Sequence, residues 1–141
     1  MTAAFSHPIV VRYHEMDMQG VVFNMWYLAY FDEAMSAFLE ANDLAYTQLQ
    51  GDGFDVQLVH LEVDWTASLG FGEAAAVQVD VATVGTTSFA LDFAVRQGGN
   101  PICTARIVYV CVALDGTGKQ PLPAPLRRAL SNEAVASSRP E

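Results

Sequence analysis

Charge is what this sequence has least of. Its 141 residues carry 16 acidic and 7 basic side chains, 16% charged in all and −9 net, against roughly 25% charged in an average soluble domain. With so little charge to coat a monomer, apolar surface is left to meet another subunit, and a homo-oligomer, dimer or dimer of dimers, is expected. No basic run is longer than the pair Arg127 and Arg128, which excludes the Lys/Arg stripe of a nucleic-acid binder. Cysteine is scarce too. Cys103 and Cys111 fall in one apparent strand, too far apart for a disulfide. Without a C-x-x-C, and with His7, His14 and His60 at no ligand spacing, no metal site is expected. Long apolar runs are absent as well: the longest uncharged stretch, Met18 to Phe31, is broken by Gln19, Gly20 and Asn24 and falls short of the ~20 apolar residues of a membrane span. No basic, apolar leader opens the chain, so a cytoplasmic location without membrane contact is expected. Gly70 and Gly72 begin no nucleotide-binding fingerprint, and no cofactor is expected.

What is present is apolar and patterned. Hydrophobic residues make up 52% of the chain, enough for one domain over 1–131, with a frayed tail over 132–141. A first strand is expected from Ile9 to His14, and a helix from about Met25 to Asn42. On a helical wheel Asp32, Glu33, Ser36, Glu40 and Asp43 crowd into an arc of ~100°, leaving the rest apolar, as if a curved sheet wrapped the helix. A short helical turn at Tyr46–Gln50 follows. From Phe54 the period becomes two, and a slip of phase near His60 predicts a bulge. Strands are expected over 75–81, 89–95 and 102–114; the last is apolar on both faces, which places it centrally or under an interface. Pro121–Leu130 is a docking segment. One long helix on an antiparallel sheet is an α+β architecture.

Chemistry concentrates in VRYHEMDMQGVVFNMWYL, Val11 to Leu28. Asn24 is a good N-cap, which makes Met25, Trp26 and Tyr27 the first helical residues, with amides free to bind negative charge developing on an acyl oxygen. Asp17 on the incoming loop can then attack, or act as base toward water. The bland reading is strong: Asp17 and Gly20 also form the Asp-x-x-Gly pattern of a type I turn, and spacing alone favours the turn. His14 and His60 are better read as structural, Glu62 and Asp64 as a solvated strand face, and Asp32 and Glu33 as a solvated helix edge.

The same segment, continued to Ala34, resembles the opening motif of the hotdog-fold thioesterases of the 4-hydroxybenzoyl-CoA thioesterase type: strand, Asp, Gly-Val-Val, Asn, Tyr-Leu, Tyr-Phe, acidic pair. LEVDWTASLGFGE, GTTSFALDF and PLPAPLRRAL extend the match more weakly, from about Ile9 to Leu130. The resemblance implies a hotdog fold, with a central helix wrapped by a five-stranded antiparallel sheet, and dimers with active sites at the subunit interface. It implies hydrolysis of a CoA or carrier-protein thioester to carboxylate and thiol, with Asp17 the catalytic carboxylate. A backbone amide near Asn24 and Met25 would polarise the thioester carbonyl. Gly20, Val22, Phe23, Trp26 and Tyr27 are the expected substrate contacts. Asn24 stands where some members carry His or Tyr, which keeps the helix-start donor but removes imidazole assistance. The alternative is a non-catalytic acyl-CoA or lipid-binding hotdog module. For CoA phosphates the cations considered are Arg96, Arg106, Lys119, Arg127 and Arg128.

Overall fold

The computed structural model describes residues 5–131; the expected tail, 132–141, lies outside them. Strand β1 (Phe5–Val10) is followed by a 3-10 turn at Tyr13–Glu15, helix α1 (Trp26–Ala41) and helix α2 (Tyr46–Gly51). Four long strands come next, β2 (Phe54–Trp65), β3 (Ala74–Val84), β4 (Ser88–Gln97) and β5 (Asn100–Ala113), then the two-residue β6 (Gly118–Lys119) and helix α3 (Ala124–Ser131). The sheet is antiparallel in the order β1-β3-β4-β5-β2, with β6 on β5. This is the α+β fold the periodicities predict, with a sixth short strand added.

Each element follows from its side chains. In α1, Tyr27, Tyr30, Phe31, Ala34, Met35, Phe38 and Leu39 are buried, and they join Phe5, Phe89, Leu91, Phe93 and Ile107 in one core. The helix is less enclosed than the wheel suggests. Ala29, Asp32, Glu33, Ser36 and Glu40 form an exposed strip, because the sheet curls against one side of the helix and does not close around it. β5 lies between β4 and β2, as its doubly apolar sequence requires, and buries both Cys103 and Cys111 as free thiols. The expected bulge is at Val59, where the β2–β5 register shifts between Leu58 and His60.

The first strand begins and ends earlier than its sequence suggests. Val11 leaves the ladder, and its amide donates to the Glu73 carbonyl at 3.0 Å. Residues 13–15 then coil because the Glu15 carboxylate turns back to accept the Arg12 amide at 2.8 Å, the half of a capping box that a Glu three residues on supplies. This shortening creates a separate strap, residues 11–25, between β1 and α1.

Candidate active site

The strap lies against the loop joining β2 to β3. Gly72 donates to the Val11 carbonyl at 3.2 Å, Val22 donates to the Leu69 carbonyl at 3.0 Å, and the Leu69 amide donates to the Tyr27 hydroxyl at 3.2 Å. Within the strap the chain doubles back on itself. Met16 pairs with Val22 in an antiparallel bridge, the Asp17 amide reaches the Val21 carbonyl at 2.9 Å, and the Gly20 amide reaches the Asp17 carbonyl at 3.1 Å. Gly20 holds φ at 79°, a left-handed value that favours glycine.

Asp17 therefore occupies the first position of the turn that its spacing to Gly20 predicts, and it is half-buried there. Its Oδ1 accepts the Gln19 amide at 2.8 Å. Among the described residues nothing donates to Oδ2. The turn and the chemistry are thus compatible: one oxygen locks the side chain, and the other is left over.

The start of α1 differs from expectation. Asn24 does not cap the helix, and no side chain does; Met25, at φ −75° and ψ −18°, is already helical in conformation, and the first helical residue is Trp26. The reason is a turn that rolls directly into the helix, with the Trp26 amide on the Phe23 carbonyl at 2.9 Å and the Leu28 amide on the Met25 carbonyl at 3.1 Å. The Asn24 carbonyl instead accepts the Trp65 indole N–H at 3.1 Å. Among the described residues the amides of Asn24, Met25 and Tyr27 have no acceptor, so donors remain at the positive end of the helix dipole even without a cap.

Of the expected substrate contacts, Gly20 and Phe23 are exposed, as is the expected amide donor Met25, and Trp26 is half-buried, with His14 set edge-on to its ring at 5.3 Å. Val22 and Tyr27 are each only 1% exposed and belong to the core behind that surface. Burial pushes the Tyr27 phenol up; the Leu69 amide pulls the other way, and the charges of Cys103, Glu73 and Asp17 add to the rise.

One residue of the strap escaped the sequence reading. Glu15 is the single buried charged side chain among the described residues, and besides the Arg12 amide it accepts the Tyr30 hydroxyl at 2.8 Å. The signal was its place three residues after Arg12, just past the strand, where a carboxylate can reach back to a free amide. Trp65 was also missed, since alternation assigns it only a face.

Comparison with known proteins gives a consistent answer. The thioesterase-like superfamily matches the chain over residues 11–130. A curated 1,4-dihydroxy-2-naphthoyl-CoA hydrolase of Synechococcus elongatus is 25% identical over 116 residues, 81% of this chain and 85% of the relative. The crystal structure of a 1,4-dihydroxy-2-naphthoyl-CoA thioesterase from Synechocystis superposes with a TM-score of 0.85 at 26% identity, covering 92% of this chain and 97% of that one. A hypothetical protein from Thermus thermophilus does so at 0.83 and 28% identity, over 89% and 96%. With a helix packed on a curled antiparallel sheet and a family match spanning nearly all of the described residues, the chain belongs to the thioesterase-like superfamily and has its hotdog fold.

Proposed function

We propose that this thioester hydrolase cleaves a CoA thioester of an aromatic acid, with Asp17 as nucleophile or general base and the amides of Asn24 and Met25 as donors to the carbonyl oxygen. The observation that carries this reading is the strap itself. It holds a carboxylate with one oxygen engaged and one unengaged, and it runs into a helix start where the amides of Asn24, Met25 and Tyr27 have no acceptor among the described residues. Such donors act most strongly on charge that develops only in the transition state.

Phe23, Trp26 and Gly20 form the contact surface for the acyl group, with Val22 and Tyr27 as its rigid backing. The aromatic preference is supported by Phe23 and Trp26, by Trp65 bonded to Asn24, and by the naphthoyl-CoA named for the two cyanobacterial relatives. Three of the cations considered for CoA phosphates are engaged elsewhere: Arg106 on Asp92, Arg96 on Gln78 and the Gly99 carbonyl, and Arg127 on the Gly85 and Thr86 carbonyls. Of those considered, Lys119 and Arg128 remain, and Arg12, exposed on the strap, joins them as a candidate.

The homo-oligomer belongs to this reading. β2 is a long strand at the sheet edge, and it exposes Leu58 and Val59; a second copy there would cover an edge that monomers must otherwise protect. Its far end, Trp65, touches Asn24, so an interface on β2 abuts the strap. Two free, buried thiols suit a reducing cytoplasm.

The test is hydrolysis of a panel of aromatic and aliphatic acyl-CoA esters with thiol detection, on the parent protein and on Asp17→Asn. Aromatic esters should be preferred, and the variant should keep its fold and its solution mass, a multiple of 15.3 kDa. Its turnover should fall by roughly 10²–10⁴-fold, the range for a lost acid–base group. Undiminished hydrolysis by the variant sinks the role of Asp17. Tight binding of the esters with no thiol release by the parent protein establishes the binding module instead.

A further inference from the structure

Glu15 joins three parts of the site at one residue. Its Oε1 accepts both the Arg12 amide and the Tyr30 hydroxyl, each at 2.8 Å. Its backbone carbonyl accepts the Phe23 amide at 2.9 Å, and its own amide reaches the Arg12 carbonyl at 3.0 Å. The beginning of the strap, the end of the strap and the second turn of α1 are all tied to it. The bridge between Met16 and Val22 continues directly from the Glu15–Phe23 bond, so this residue clamps the base of the turn that presents Asp17.

Burying a carboxylate is costly unless its bonds are satisfied, and removing it strands its partners. Tyr30 is 4% exposed, and its phenol is pushed up by burial first and by the Glu15 hydrogen bond second. The side chain also borders a cavity of about 330 Å³ shared with Pro8, Arg12, Tyr30 and Glu33, on the flank of β1. Glu15 thus touches the helix and the strap backbone, and both of its side-chain hydrogen bonds, through Oε1, go to holding them in place.

We propose that Glu15 is a positioning residue for the hydrolysis, acting through Asp17 by fixing the turn that carries it relative to the amides at the start of α1. This rests on the role given to Asp17 above. A displacement of about 1 Å at reacting groups can cost ~100-fold in rate, so loosening the clamp should be visible in turnover.

The experiment compares Glu15→Ala, Glu15→Gln, Asp17→Asn, the Glu15→Ala/Asp17→Asn double variant and Tyr30→Phe, on an aromatic acyl-CoA that the parent protein hydrolyses. Each is assayed well below its own Tm, with the folded fraction measured by circular dichroism. Glu15→Ala should lower kcat by about 10–100-fold per folded molecule, with KM held within about threefold. Glu15→Gln should return kcat to within about threefold of the parent, because an amide oxygen accepts the same two bonds. The double variant should be no slower than Asp17→Asn, since a residue acting through another adds nothing once that other is gone.

Folded Glu15→Ala with parental kcat overturns the proposal, as does Glu15→Gln as slow as Glu15→Ala, or losses that multiply in the double variant. Should Glu15→Ala not fold, Tyr30→Phe decides: kcat should drop by about 3–10-fold at constant KM, and an unchanged kcat overturns the proposal. Full turnover by Asp17→Asn would remove the reading of Asp17 and the proposal with it, whereas slow Asp17→Asn beside fast Glu15→Ala removes only the positioning role.

Discussion

The strap of residues 11–25 and strand β4 are held in opposite ways. β4 bonds along both edges, to β3 and β5, and turns Phe89, Leu91, Phe93 and Val95 into the core while Asp92 meets Arg106 on the outside. Its stability comes from buried apolar area, at roughly 25 cal/mol per Å². The strap has one isolated bridge and a handful of single hydrogen bonds, each worth about 0.5–1.5 kcal/mol net, and it leaves Tyr13, Met18, Phe23 and Met25 exposed. The strand is paired along both edges, and its apolar side chains are buried or half-buried. The strap keeps some groups without a partner among the described residues, and those are the groups available to a substrate.

The largest break of this contrast is in the strand. Leu91 is fully buried beneath the partners of both ladders, and Leu91→Ala is expected to cost about 2–5 kcal/mol through lost transfer energy and the cavity left behind. Urea titration measures that loss, and kcat per folded molecule should be unchanged, because the strap draws its order from other bonds. A fall in kcat among molecules that remain folded would show that core packing under β4 sets the geometry of the strap.

A second contrast appears in alkali. Burial pushes the Cys103 thiol up from 9.0 to about 12, and it also raises Cys111 and Tyr109. These groups keep their protons in the folded core where the unfolded chain releases them. Stability should therefore be intact below about pH 9 and fall as pH climbs toward about 12, since the unfolded state then binds fewer protons. Tm measured across that interval checks the sign, and Cys103→Ala should make the fall shallower. A flat Tm would mean that the thiols in β5 are not shielded as the strand's burial requires.

The sheet was legible because periodicity is a direct record of burial. Phe89, Leu91, Phe93 and Val95 mark β4, the phase slip marks the bulge beside His60, and the doubly apolar run marks β5 as central. Asp17 and Gly20 were legible as a turn by spacing. The catalytic role proposed for Asp17 was raised by its place before the helix start but favoured over a plain turn only through the family resemblance, since the same Asp-x-x-Gly serves any turn. What stayed hidden depends on contacts distant in sequence. Glu15 looks like a surface acid until Tyr30 comes within 2.8 Å of it. Asn24 was misjudged because capping propensity describes an isolated helix, whereas here a turn through Phe23 and Met25 feeds the helix and leaves the Asn side chain nothing to cap.

The finest test sits where the two regions meet. Trp65 ends β2, and its indole N–H donates to the Asn24 carbonyl at 3.1 Å, a strut between a laddered strand and the strap. Trp65→Phe keeps most of the ring and removes only that bond, so the stability loss should be about 0.5–1.5 kcal/mol, the smallest effect considered. Its distribution matters more than its size. Hydrogen exchange should quicken at the amides of Phe23, Trp26 and Leu28, whose single bonds hold the strap to the helix start, and stay unchanged across β4, whose ladders do not involve the indole. Exchange rising equally in both would make strap and strand one cooperative unit. No change at the helix start would show that the clamp at Glu15 and the bridge at Met16 hold the strap without help from β2.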